Sequence, residues 1–458
     1  MRAAKNIFAN IDKVSIGLYA LLMLFGWINI YASQYNDDSA MVIDFSSRYG
    51  KQLFFICISS FVAFLILIID WKFFYSLSYI FYVAIILLLI GVLFKGGITG
   101  GATSWFEFGS FKFQPSEFAK FTTALALAKY YNKLNTKRKS LREKLNTYAI
   151  IILPFLLIIL QNDLGTALVY AGFILVLYRE GLSGNILIFG LIIAILFVVT
   201  LLVEKTILIP FLAGIALIIF LLSRRKKKEL LLIMGILITC ISFIFSVDYI
   251  FNDVMAPHQK KRIDILLGKE FDPHGAGYNL IQSKIAIGSG GFSGKGFLNG
   301  TQTRFDFVPE QSTDFIFCTI GEEWGFLGSF FFISLFLSLL FRVLFLAERQ
   351  RSNFSRIYGY SVATILFMHF TINIGMTIGL LPVIGIPLPF ISYGGSSLLG
   401  FTILFMHFTI NIGMTIGLLP VIGIPLPFIS YGGSSLLGFT ILLFIFLNLD
   451  SYRLQILR

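Results

Sequence analysis

Apolar runs of about 20 residues, the length of helix that crosses the hydrocarbon core of a bilayer, recur along most of this chain. Of its 458 residues, 57% are hydrophobic and only 13% are charged. A β-barrel would instead show alternating apolar and polar residues. The sequence therefore predicts an all-α, polytopic helical membrane protein. The predicted segments lie near 14–33, 53–70, 73–94, 115–131, 147–160, 163–178, 185–203, 207–223, 229–247 and 315–341.

Positive charge collects in the short segments between the apolar runs. A net charge of +12 at pH 7 is compatible with a nucleic-acid partner, but the basic clusters at 133–144, 224–228 and 342–356 lie between predicted helices. Short basic loops mark the cytoplasmic face of a membrane protein. We therefore expect a cytoplasmic N-terminus and no nucleic-acid partner. The extracytoplasmic segments are then 34–52, 95–113 and 248–314.

The C-terminal region contains an exact internal repeat. Thr364–Leu404 recurs letter for letter as Thr402–Leu442, a shift of 38 positions. Repeats in transporters keep a fold but lose sequence identity, so units 364–401 and 402–439 are interpreted as a recent or artefactual tandem duplication. Each unit holds the end of one helix, a proline-rich loop and the start of the next helix, so one extra unit adds one membrane pass. An incomplete pass, a displaced copy and an assembly error all remain open.

The segment 271–328 is rich in Gly, Ser, Thr, Gln and charge within an otherwise apolar chain. We expect 1–458 to form a single integral membrane domain, with 248–314 as its large extracytoplasmic loop. The stretch GSGGFSGKG has glycines before Lys295, as a phosphate-binding P-loop does, but it does not match that pattern. Ser289 stands where that pattern needs glycine and Gly296 where it needs a hydroxyl, so its glycines are interpreted as turns.

Asp314 follows Thr313 at the point where this polar segment enters the apolar run FIFCTI. Aspartate at such a place is either a helix N-cap or a functional acid in a partly desolvated position. The residues alone leave both interpretations open. Glu322 and Glu323, about two turns further along, carry the same ambiguity.

A second polar cluster lies in WFEFGSFKFQPSEFAK, 105–120. Glu117 and Lys120 are three positions apart at a predicted helix start, close enough to pair on one face. They either neutralise each other or line a polar cavity that opens outward. Asp163, in QNDLGTALVY, is a third acid predicted at the outer leaflet, and its presence with Asp314 there favours the functional interpretation.

Six long motifs make the sequence resemble the SEDS family of cell-wall polymerases. The sequence QSKIAIGSGG resembles the RodA-type branch of that family more than its cell-division branch. The resemblance covers most of the chain. The motifs are QPSEFAK (114–120), QNDLGTAL (161–168), DPHGAGYNLIQSKIAIGSGGFSGKG (272–296), FVPEQSTDFIF (307–317), GEEWGFLG (321–328) and NIGMTIGLLPVIGIPLPFISYGGSS (373–397).

The resemblance implies a ten-helix core, to which 185–247 adds two inserted helices and the duplication adds a further segment. It implies a peptidoglycan glycosyltransferase that polymerises lipid II on the outer face of the bacterial plasma membrane during elongation and shape maintenance. The expected partners are a class B penicillin-binding protein and the elongation machinery. A lipid II flippase and a non-catalytic scaffold of the wall-synthesis complex are the alternative functions.

The resemblance also assigns the site: Asp314 is the expected catalytic residue. Other expected substrate-binding residues match motif positions or follow from their chemistry, and these are Trp105, Glu117, Lys120, Asp163, Gln282, Ser283, Lys284, Lys295 and Thr313. No protein metal site is expected, and either lysines or a divalent cation can stabilise the diphosphate. The family commonly has histidine before the Thr-Asp pair, whereas this chain has Gln311 and Ser312, so any role of that histidine is absent.

Overall fold

A computed structural model defines the fold over most of the chain. It describes residues 12–35, 47–69, 71–99, 102–108, 111–133, 140–222, 227–255, 257–270, 272, 277–393 and 434–451. Within these ranges, nine helices are long and apolar enough to cross a membrane. The prediction of a polytopic helical membrane protein is confirmed.

The elements before the middle of the chain are helices interrupted by one small sheet. They are α1 Lys13–Ala32, α2 Arg48–Ile68, α3 Trp71–Lys95, β1 Gly97–Thr99, β2 Ala102–Phe108, β3 Phe111–Phe113, α4 Pro115–Lys133, α5 Leu141–Leu160, α6 Leu164–Ala171 and α7 Phe173–Arg179.

The remaining elements are all helical. They are α8 Gly184–Leu202, α9 Lys205–Leu222, α10 Lys227–Tyr249 with a π-helical turn Ile250–Val254, α11 Pro257–Leu266, α12 Tyr278–Ser289, α13 Thr301–Arg304, α14 Ile316–Glu348, α15 Asn353–Thr377 and α16 Ser434–Ser451.

Internal contacts group the chain into two compact units. One consists of Met1–Val176 with Gln282–Arg458, and the other of Leu177–Ile281. Every expected site residue belongs to the first unit. In the second unit, Leu201, Val247 and Phe251 form a small buried cluster. The single membrane domain and the two inserted helices stay predictions.

Two helices begin earlier than hydropathy predicts because polar caps extend them. The side chain of Ser47 accepts a hydrogen bond from Gly50 N at 3.2 Å, so α2 begins at Arg48. Ser140 and Glu143 form a capping box, in which each side chain bonds the other's backbone N–H. Such boxes satisfy donors that a helix start leaves unpaired. Helix α5 therefore includes a polar first turn that an apolar window misses.

The expected outer loop 95–113 contains a three-stranded antiparallel sheet, which the sequence analysis did not predict. Its register pairs Gly97 with Trp105 and Phe106 with Phe113. Aromatic residues favour such short pleated hairpins, but three-residue strands give too little alternation to be recognised. The sheet carries Trp105, and the backbone N–H of Thr103 donates to Gln161 O at 2.9 Å.

One predicted helix, 163–178, is divided into α6 and α7 at Gly172. A Cβ built on Gly172 would lie 2.5 Å from Cγ of Met368 on α15, closer than side chains pack. Glycine therefore permits the close approach of α15 at this point.

An ion pair between Asp12, the N-cap residue of α1, and Arg342 joins α1 to α14. Arg342 Nε donates to Asp12 Oδ2 at 3.1 Å, and Ser15 N donates to the same oxygen at 2.9 Å. Burial raises the pKa of Asp12, but the hydrogen bonds from Arg342 and Ser15 outweigh burial and lower that pKa to about 2. Asp12 is therefore charged throughout the physiological pH range.

The two C-terminal helices of the described structure, α15 and α16, contain residues from different copies of the repeat. Helix α15 begins in residues that occur once in the chain and continues into the first copy of the repeat, 364–401. The structure describes this part of the chain as far as Tyr393. Helix α16 begins at the end of the second copy of the repeat, 402–439. Residues outside the repeat hold it, since Asn448 Nδ2 donates to Ile66 O at 2.8 Å and Arg349 pairs with Asp450. The interval 394–433 lies outside the described residues, as do the three alternatives for the extra pass.

We expect that removing 38 residues, 394–431, leaves the fold intact. Tyr393 would then precede Gly432 and restore the sequence ISYGGSS. The contacts described for α15, for the loop after it and for α16 involve 353–393 and 434–451, all of which the deletion keeps. The melting temperature in detergent should stay within about 2 °C, because a change of about 1 kcal/mol shifts it by about 2 °C or less in a protein of this size. A fall of 10 °C or more would contradict this expectation.

Candidate active site

Helix α15 brings three distant motifs to one face. His369, Asn373 and Thr377 are spaced four apart and therefore lie above one another on the helix. His369 Nε2 is 2.8 Å from Lys120 Nζ, Asn373 Nδ2 donates to the backbone oxygen of Asp314 at 2.8 Å, and Thr377 O accepts from Ser283 Oγ at 2.9 Å. The expected residues Lys120, Asp314 and Ser283 thus attach to a common support.

The predicted pairing of Glu117 with Lys120 is confirmed. Lys120 Nζ lies 2.8 Å from Glu117 Oε1, and the two residues are only 2% and 5% exposed. Lys120 also meets His369, whose Nδ1 lies 3.4 Å from Pro387 O. An ammonium can donate only to an unprotonated ring nitrogen, so Nε2 accepts here. Whether this ion pair contacts substrate stays a prediction.

Asp163 acts as the N-cap of α6. Its carboxylate accepts from Thr166 N at 3.0 Å, from Thr166 Oγ1 at 2.9 Å, from Gln114 Nε2 at 2.9 Å and from Ser116 Oγ at 3.2 Å. The acid therefore joins the QPSE motif to the QND motif. Its predicted role in substrate binding is untested, but its four donors identify a structural role.

Asp314 does not cap α14, so the N-cap interpretation is wrong. The helix begins at Ile316, with Phe315 in the cap position and no side-chain cap hydrogen bond. Asp314 is half-buried in the preceding turn. Gly385, at φ +75°, lies against it, since a Cβ there would be 3.2 Å from Asp314 Oδ2. The proline-rich loop after α15 therefore passes beside the carboxylate.

Gln311 and Ser312, the two residues before the Thr-Asp pair, fix the turn that leads to Asp314. Gln311 Nε2 lies within hydrogen-bond distance of Ser33 O, Thr303 O and Asp306 Oδ1, at 2.7, 2.6 and 2.6 Å. Arg48 Nη1 donates to Ser312 Oγ at 2.8 Å. These bonds link the turn to α13 and to the start of α2.

Glu322 holds the glycine-rich segment. Its fully buried carboxylate accepts from Lys295 Nζ at 2.7 Å and from the backbone N–H groups of Gln302 and Thr303 at 2.9 Å each. These contacts give Glu322 a structural role, and a functional role for this acid stays a prediction. Lys295 is engaged in this pair, and its expected contact with substrate stays a prediction. Glu323 is also buried.

The interpretation of the GSGGFSGKG glycines as turns is confirmed at Gly291, Gly294 and Gly296, which all have positive φ. Backbone packs directly on backbone here. A Cβ on Gly290 would lie 2.0 Å from Gly321 O, and one on Gly294 would lie 2.1 Å from Glu323 O. Glycine is thus required because no side chain fits between the loop and α14.

Gly290→Ala is expected to lower the free energy of unfolding by about 2–3 kcal/mol, because its methyl group must displace backbone. Gly288→Ala is the matched control, since it places a methyl group within the same segment where nothing lies within 4 Å. That change should be neutral or stabilise α12 by up to about 1 kcal/mol. Melting temperatures of the two purified variants provide the measurement, and equal values would refute the packing argument.

The other expected residues occupy varied positions. Trp105 and Gln282 are half-buried, Ser283 is buried, and Lys284 is exposed. The Thr313 hydroxyl donates to Glu310 Oε2 at 2.9 Å. Across the described ranges, no group of three or more His, Cys, Asp or Glu side chains is placed to hold a metal ion.

His369 and Asn373 belong to this site but were not among the predicted site residues. Both are buried polar residues, four positions apart in the largely apolar second half of α15. A buried polar side chain needs a partner, so this periodicity was the available signal. Their partners, which are distant in sequence, could not be named from it.

Fold and site together define a polytopic helical membrane protein in which a buried ion pair, a loop acid and Ser283 of α12 converge on α15. The chain belongs to the FtsW/RodA/SpoVE family of cell cycle proteins, whose model matches residues 12–209, 206–407 and 400–455.

Curated relatives agree with this assignment. The chain is 37% identical over 318 residues to the peptidoglycan glycosyltransferase MrdB of Escherichia coli K12, covering 69% of this chain and 73% of that protein. It is 32% identical over 399 residues to the peptidoglycan glycosyltransferase RodA of Treponema pallidum, covering 81% and 90%.

Solved structures share the fold. A chain of a peptidoglycan synthase complex that coordinates polymerization and crosslinking aligns with a TM-score of 0.64 and 25% identity, over 97% of this chain and 99% of that one. The rod shape determining protein RodA of Thermus thermophilus aligns with a TM-score of 0.58 and 22% identity, over 97% of each chain.

Proposed function

We propose that this chain is a peptidoglycan glycosyltransferase that polymerises lipid II into glycan strands on the outer face of the bacterial plasma membrane, in elongation and shape maintenance. The observation that carries the proposal is Asp314. This residue is half-buried, is not the N-cap residue of α14, which is Phe315, and belongs to a turn bound to the same face of α15 as Lys120. Family membership and the names of the relatives support the same activity.

In the proposed mechanism, Asp314 is the general base. It takes the proton of the acceptor sugar hydroxyl as that oxygen attacks the anomeric carbon of the donor. The bond from this carbon to the diphosphate breaks, and the lipid diphosphate leaves with the electron pair, so the anomeric configuration inverts. General-base catalysis of this kind contributes about 10²–10⁴-fold in rate.

Positive charge near the leaving group stabilises the developing diphosphate. We propose Lys120 and Lys284 for this role. Lys120 is buried beside Glu117, whereas Lys284 is exposed next to the anchored Ser283. Lys295, which is paired with Glu322, contributes by holding the glycine-rich segment. A divalent cation bound to the diphosphate itself would act in the same sense.

A class B penicillin-binding protein is the proposed partner, together with the elongation machinery. The structural neighbour in a synthase complex that couples polymerization with crosslinking supports this pairing. The proposed orientation has a cytoplasmic N-terminus, because basic segments flank the helices on that side.

The test is polymerisation of purified lipid II by the full chain with its partner transpeptidase, in detergent and in vesicles. Glycan strands that Asp314→Asn fails to make would support the proposal. If the chain makes no glycan but moves lipid II across the vesicle bilayer, it is a flippase. If Asp314→Asn makes glycan, the assignment of Asp314 as the base is wrong. If neither chain makes glycan but Asp314→Asn restores growth of a strain depleted of the protein, the scaffold interpretation gains support.

A further inference from the structure

Three consecutive backbone carbonyls at the proposed base are each held by a separate donor. Tyr393 N donates to Ser312 O at 2.7 Å, Ser392 Oγ donates to Thr313 O at 2.6 Å, and Asn373 Nδ2 donates to Asp314 O at 2.8 Å. The donors come from α15 and from the loop that follows it. We call this set of three bonds the carbonyl clamp.

Asn373 has a special place in the clamp because its amide serves two segments. Besides Asp314 O, the same Nδ2 lies 2.6 Å from Ile386 O. Ile386 follows Gly385, the residue whose backbone lies against the Asp314 carboxylate. One fully buried side chain therefore fixes both the residue that carries the acid and the loop that borders it.

Asp314 needs such support because helix α14 begins only at Ile316. The geometry points to Asn373 as a positioning residue for Asp314, an inference that rests on the function proposed above. Asn373 acts through the backbone, since its Nδ2 donates to the carbonyl oxygens of Asp314 and Ile386. A misplacement of a catalytic group by about 1 Å can lower a rate about 100-fold.

Asn373→Ala is expected to lower kcat for lipid II polymerisation about 10- to 100-fold, with KM for lipid II unchanged within about twofold. Asn373→Asp keeps the shape but replaces the donor by an acceptor that faces two carbonyl oxygens, so kcat should fall at least as far. If neither variant folds, Ser392→Ala removes a single clamp donor, and a smaller fall in kcat at unchanged KM is expected.

Asn448→Ala is the first control. Asn448 is equally buried, and its Nδ2 donates to the carbonyls of Ile66, Leu67 and Ile69 at 2.8, 3.1 and 2.9 Å. Its loss should lower the melting temperature as much as Asn373→Ala does, without lowering kcat. A merely structural role for Asn373 predicts the same behaviour for both variants.

The duplication supplies a second control, because Asn411 is the identical copy of Asn373. Asn411→Ala should leave kcat unchanged. The inference is overturned if Asn373→Ala keeps its kcat while Asp314→Asn is inactive, or if Asn411→Ala alone lowers kcat. Activity retained by Asp314→Asn would instead refute Asp314 as the base, so the two failures are distinguishable.

Discussion

Asp314→Asn is expected to abolish glycan synthesis, with a rate at least about 100-fold below that of the parent chain. Asparagine has the same shape but cannot accept the proton of the acceptor hydroxyl. The fold should survive the change, because Phe315 and not Asp314 is the N-cap residue of α14, and the bond from Asn373 goes to the backbone oxygen of Asp314, which the substitution keeps. Strand length on gels and the melting temperature are the two measurements.

Glu310→Gln is the matched control for this result. Glu310 lies in the same turn, and its exposed carboxylate is 3.9 Å from Arg48 and accepts from Thr313. Exposed ion pairs contribute little, typically less than about 1 kcal/mol, so this variant should keep its stability and its activity. If both variants lose activity equally, the loss reflects the charge of the turn and not a base at Asp314.

Local patterns in the sequence predicted those features that neighbouring residues determine. Continuous apolar runs identified the spanning helices, because burial in lipid leaves few other conformations. The three-residue spacing of Glu117 and Lys120 predicted their ion pair, since that spacing places both on one helical face. The glycine turns near Lys295 were likewise recognised from the failure of a local pattern.

Features that depend on distant contacts were not predictable. Asp314 alone fits a helix cap as well as a base, and only the start of α14 at Ile316 decides between them. The structural role of Glu322 depends on backbone hydrogen-bond donors about 20 positions earlier. The role of His369 depends on Lys120, 249 positions away. A single sequence does not show which polar residues that lie far apart along the chain will meet in the fold.

Lys120→Met is expected to cause the largest loss of stability, about 3–5 kcal/mol, because it leaves the Glu117 carboxylate buried without its cation. The pair is nearly inaccessible to solvent, so water cannot replace the missing partner. The yield of folded protein and the melting temperature in detergent should both fall sharply. The same argument predicts a comparable loss for Glu117→Gln if Lys120 stays charged.

The double variant Glu117→Gln with Lys120→Met separates stability from function. Replacing both charges removes the unpaired ion, and exchange of a whole buried pair for neutral groups is often neutral within about 1 kcal/mol or even stabilising. The double variant should therefore melt close to the parent chain. If Lys120 stabilises the diphosphate as proposed, polymerisation stays lost in this stable protein. Recovery of activity together with stability would show that the pair only supports the fold and that another cation faces the leaving group.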